Sequence, residues 1–92
     1  MTMPQDVIGV DVSKDFLDCH RFSDGRAWRV ATDRTGLRRF AASVAPGTLV
    51  VLEPTGGYER PVIAALAAAG VTCSRVNARQ TRDYARACGR LA

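Results

Sequence analysis

The stretch that most constrains this chain is Val7-Ile8-Gly9-Val10-Asp11-Val12-Ser13-Lys14. Its apolar residues run on instead of alternating with polar ones, the pattern of a strand covered on both faces. One carboxylate, Asp11, stands inside that run. An ionised acid in a dry interior requires a cation, a metal or hydrogen-bond donors, so the pattern predicts a buried acid with a partner. Leu49-Val50-Val51-Leu52-Glu53 is a second apolar run, and it ends in an acid. Two buried strands that each present one carboxylate point to a divalent-metal site.

The 92 residues suffice for one small domain, 1–92, with a modest core. Apolar residues make up 47%, which excludes a disordered tail. The formal charge is +4, and all but one of the 13 basic residues are arginines, Lys14 being the exception. Arginine pairs with phosphate bidentately and stacks on bases, so the bias leans toward nucleic acid. A genome that favours Arg and Ala codons explains the composition equally well. Cys19, Cys73 and Cys88 form no CxxC pair, which favours small buried hydrophobes in a reducing cytosol over a disulfide frame or zinc site. The first six residues lack the features of a signal peptide. The apolar segment Val62 to Ala69 is too short and Ala-rich to span a membrane. The expected location is cytoplasmic, without a membrane partner.

Strands are predicted over Val7–Val12, Asp15–Phe22 and Arg26–Ala31, joined by Ser13-Lys14 and by the turn Ser23-Asp24-Gly25. Two short connections in a row imply an antiparallel meander. The period then changes. Leu37, Phe40, Ala41 and Val44 share one helical face, with Asp33 or Thr35 as cap and Pro46-Gly47 as stop. Strand four is Leu49–Glu53, ended by Pro54. A helix begins near Tyr58 with Pro61 in its first turn, and Gly70 closes it. Val71–Val76 is strand five. Asn77 and Gln80 then fit a capping box, and Thr81, Tyr84, Ala85 and Cys88 fit the apolar face of a third helix. The order βββαβαβα predicts an α/β fold with a five-stranded mixed sheet, its later strands joined by right-handed parallel crossovers.

Asp11 and Glu53 lead the candidate residues. A crossover from the meander can set strand four beside strand one, with both acids at similar height. Carboxylates that close repel unless a cation lies between them, and hard oxygen ligands suit Mg²⁺ or Mn²⁺. The competing reading is one solvent-exposed strand-end acid and one acid paired with an arginine. Arg79, Arg82, Arg86 and Arg90 recur at helical spacing, with Arg75 before them. They make either a stripe for nucleic-acid phosphates or a solvated helix face. Lys14 is either a phosphate contact or a solvated lysine. Thr55-Gly56-Gly57 either approaches a phosphate at the next helix's N-terminus or is a simple turn. Trp28 and Tyr58 are read as core or rim packing, and His20 as a strand residue with a local hydrogen bond.

Four segments carry a family resemblance: Ile8 to Lys14, Leu52-Glu53-Pro54-Thr55-Gly56-Gly57-Tyr58, Val76-Asn77-Ala78-Arg79-Gln80, and Ala85 to Ala92. Together they resemble the N-terminal domain of the DEDD transposases of bacterial insertion sequences, whose catalytic fold is like ribonuclease H and the RuvC resolvase. The resemblance implies that Asp11 and Glu53 match the first two acids of a metal site. It also implies a DNA partner and, for some members, a structured guide RNA. In the family a Lys-Thr-Asp stretch with the later acids follows the equivalent of Arg90-Leu91-Ala92. The expectation is therefore a domain truncated at its C-terminal side, with weak metal binding and no cleavage by this chain alone. Asp83 does not match those acids and is read as an ion-pair partner of Arg79 or Arg86. Missing segments would leave apolar surface uncovered, for which homo-oligomerisation is one remedy. Two further readings stand beside this one: a non-catalytic nucleic-acid-binding or assembly module of the same fold, and half of an actin-like nucleotide-binding domain. The second wants more Gly and Thr than Ser13-Lys14 provides.

Overall fold

The computed structural model describes residues 4–53 and 56–76. The strands are β1 (Asp6–Val12), β2 (Phe16–Arg21), β3 (Ala27–Ala31), β4 (Thr48–Glu53) and β5 (Thr72–Arg75). Helix α1 (Arg34–Ser43) lies in sequence between β3 and β4, and α2 (Glu59–Ala68) between β4 and β5. Each element falls where periodicity predicts it, with ends shifted by a residue or two. The expected third helix, with Cys88 on its face, lies outside the described residues.

One sheet contains all five strands in the order β3-β2-β1-β4-β5. The β1–β2 and β2–β3 pairs are antiparallel, and β1–β4 and β4–β5 are parallel. Only β2 therefore runs against the others. The β2–β3 hairpin closes through Arg21 N–H donating to the Arg26 carbonyl at 2.8 Å. Gly25 takes φ 72 in that loop, a conformation costly for a residue with a Cβ.

Both crossovers move in the same direction across the sheet, from β3 to β4 and from β4 to β5. Right-handed connections then set both helices on the same face. The core reflects this. Leu37, Phe40 and Ala41 of α1 and Val62 and Leu66 of α2 pack on Ile8, Val10, Val12, Leu17, Val50 and Leu52. Asp33 caps α1, its carboxylate accepting from Gly36 N–H at 2.7 Å, which satisfies one of the helix's unpaired donors. Pro61 occupies the first turn of α2 as expected. Cys19 is buried in the core and Cys73 is half-buried, both as free thiols. Burial, aided by the neighbouring Asp18 charge, pushes the Cys19 thiol up to about 12. No helix among the described residues is long and apolar enough to cross a membrane.

Candidate functional site

The first expectation to fail is the burial of Asp11. Val7, Ile8, Gly9, Val10 and Val12 are buried on both sides of β1, but Asp11 is exposed. The pleat explains this. Ile8, Val10 and Val12 face the helices, and Asp11 points with Val7 and Gly9 to the opposite face. Near the strand's end that face is open to solvent at Asp11. Burial therefore demands no partner for this acid.

Register supplies one instead. Asp11 of β1 is the direct partner of Glu53 in the parallel neighbour β4. In parallel strands, residues in register point to the same face, so both carboxylates leave the sheet on one side at one height. Glu53 is half-buried. On its other flank Asp11 faces Asp18 of β2, and Asp18 faces Arg29 of β3. A single row of charge, Arg29–Asp18–Asp11–Glu53, thus crosses four strands.

The row is unevenly neutralised. Arg29 Nε donates to Asp18 at 2.8 Å, with a longer second contact of 3.4 Å from Nη2. The hydrogen bond to Asp18 and its charge push the Arg29 guanidinium further up from an already high value. Arg29 also lies over the Phe16 ring, 4.8 Å from its centroid. Asp11 and Glu53 have no ion pair among the described residues. Like charges directly opposite one another in a sheet are unfavourable, so this part of the row attracts cations. No group of three or more His, Cys, Asp or Glu side chains is close enough to hold a metal among the described residues. Among the described residues, Asp11 and Glu53 are the pair available here.

The other candidates are dispersed. Lys14 is exposed in the β1–β2 connection, where its carbonyl accepts from Thr32 Oγ1 at 2.7 Å. Arg75 ends β5, and its Nη1 lies 3.5 Å from Glu59 Oε1 at the start of α2. Arg79, Arg82, Arg86 and Arg90 lie outside the described residues, as does Thr55. Gly56 and Gly57 both take positive φ, 64 and 87.

Two acids escaped the sequence reading. Asp18 was legible in principle, because counting outward from the Ser13–Asp15 connection sets it opposite Asp11. Glu59 left no such signal. It is buried, and its Oε2 has no hydrogen-bond partner among the described residues. The chain matches no family model and no curated protein.

Proposed function

We propose that this domain is the N-terminal part of a ribonuclease H-like nucleic-acid-processing domain of the DEDD transposase kind, acting on DNA phosphodiester bonds with a divalent metal. The observation that carries this is the register pairing of Asp11 with Glu53 on adjacent parallel strands. The strand order, with a meander followed by two crossovers, supports the same fold. So do the motif segments around both acids.

The residues present fit the metal only in part. Two hard carboxylates on one face suit Mg²⁺ or Mn²⁺, which keep several waters when few protein ligands are supplied. Bound there, the metal would supply charge stabilisation for the attacking or leaving oxygen at phosphorus. Asp11 and Glu53 would hold it. Asp18, held by Arg29, would stay outside the ligand set and orient that guanidinium. A structured guide RNA is a further partner of this reading.

Titration with Mn²⁺, read by electron paramagnetic resonance of the free ion, tests the reading. Asp11→Ala and Glu53→Gln should each weaken binding at least tenfold. Unchanged Mn²⁺ affinity in Asp11→Ala sinks the metal site for this chain. A second reading, a nucleic-acid-binding module that does no chemistry, draws on the Asp18–Arg29 pair, which commits one acid of the row to an arginine. Nucleic-acid binding that persists in Asp11→Ala, without any metal binding in the parent protein, would favour it.

A further inference from the structure

A second charged feature occupies the edge of the sheet on the side that α1 covers. Between edge strand β3 and α1 runs a groove of about 580 Å³, lined by Arg21, Arg26, Arg39 and Trp28 among others. The acid at its wall, Asp33, is committed to capping α1. Arg21 and Arg26 are paired through their backbones across the hairpin. Both guanidiniums lie over the half-buried Trp28 ring, at 5.3 and 5.2 Å from its centroid. The negative face of the ring attracts each cation and so holds two like charges in one place. Arg21 also meets Asp24 at 3.3 Å, whereas Arg26 and Arg39 have no ion pair among the described residues.

We propose that this groove binds a single-stranded nucleic-acid segment through its phosphates. Planar guanidiniums in a fixed array match phosphate oxygens bidentately. Stacking on Trp28 orients two of them before any ligand arrives, so little side-chain freedom is lost on binding. The volume lies within the roughly 300–1,000 Å³ of ordinary ligand pockets, which admits a short piece of strand and not a duplex. The groove is separate from the Asp11–Glu53 pair and needs no metal, so it stands or falls independently of the metal site.

Trp28 is the chain's only tryptophan, so its emission reports this groove directly. The 92-residue protein is titrated in EDTA, at several salt concentrations, with oligothymidylate and oligouridylate of about 15 nucleotides. The expected result is a saturable change in Trp28 emission and an affinity that falls with salt. Arg26→Ala combined with Arg39→Ala should flatten the log–log salt slope by about 1.4, or about 0.7 per lost phosphate contact on a single strand. Arg60→Ala, on the exposed side of α2, should leave the slope unchanged. Arg26→Gln with Arg39→Gln repeats the comparison with polar side chains, should the alanine pair fail to fold. No binding, binding that leaves Trp28 emission unmoved, or an unchanged slope in the folded double variant overturns the proposal. Inorganic phosphate that produces the same change as tightly as the oligonucleotides overturns the strand specificity.

Discussion

Asp11→Asn should make the protein more stable in the absence of metal and remove its response to metal. Asp11 faces Asp18 on one side and Glu53 on the other. Like charges directly opposite in a sheet are destabilising, taken on the scale of roughly 0.2–1 kcal/mol that a favourable cross-strand pair contributes. Neutralising the middle acid relieves both contacts, so the gain is about 0.4–2 kcal/mol in low salt and EDTA. It should shrink in 1 M salt, where charges are screened over about 3 Å. A cation that binds the folded site stabilises the parent protein by RT ln(1 + [L]/Kd), or about 1.4 kcal/mol at ten times Kd. Asp11→Asn should lose most of that increment. Urea denaturation followed by Trp28 emission, in EDTA and in Mn²⁺, measures both terms. If Asp11→Asn is destabilised in EDTA, the carboxylate makes a favourable contact and the repulsive row is wrong. If Mn²⁺ stabilises the variant as much as the parent, the cation binds elsewhere.

Three further outcomes follow from the packing. Gly36→Ala should destabilise by about 1–3 kcal/mol, although helix propensity alone favours Ala by about 1 kcal/mol. A Cβ at Gly36 would collide with the Ala31 backbone carbonyl, and a stabilised variant in urea titration would refute that contact. The Cys19 thiol is raised from 9.0 to about 12 by burial, so the fold favours its neutral form. Its contribution is whole below pH 9 and is lost progressively as pH rises toward about 12. Cys19→Ala should lack that decline when the two proteins are denatured in urea across this range. Arg75→Ala should cost about 1–3 kcal/mol, because Glu59 keeps only 7% of its side-chain surface and loses its ion-pair partner. Adding Glu59→Gln should recover part of the loss, and no recovery would mean that Arg75 acts through packing alone.

The fold was legible because its signals are local. The apolar runs at Val7 and Leu49, the Asp24-Gly25 turn and the Leu37–Phe40 periodicity each act over a few residues. Together they define a meander followed by crossovers. Which strands adjoin also followed from connection lengths, and it placed Asp11 beside Glu53. The burial of Asp11 was misread because an apolar run does not mark where a sheet face opens to solvent. Gly9 and Val10 are buried and Asp11 is not, a change set by what covers the neighbouring strands. The contact of Arg75 with Glu59 was illegible for a similar reason. Ser74 and Val76 flank it in sequence, and Glu59 comes within reach only once β5 lies beside α2. The stacked arginines had no sequence signature, because Arg21 and Arg26 meet over Trp28 only once the hairpin register is fixed.

The topology also explains why the two charged features coexist. With α1 and α2 on one face, the acids of β1 and β4 project from the other, away from the arginines at the α1 edge. Had Asp11 pointed with Val10 and Val12, it would have entered the core and required neutralisation there. Arg29 belongs to the acids' face, where it holds Asp18. Asp18→Asn releases Arg29 from its strongest contact, leaving Asp11 and Glu53 as the nearest unpaired acids of the row. A guanidinium drawn toward them would compete with Mn²⁺, so the variant should bind the metal more weakly although Asp18 is not a ligand. Adding Arg29→Gln should restore the affinity. If Asp18→Asn weakens Mn²⁺ and the second change restores nothing, Asp18 is itself a ligand and the acidic site has three members.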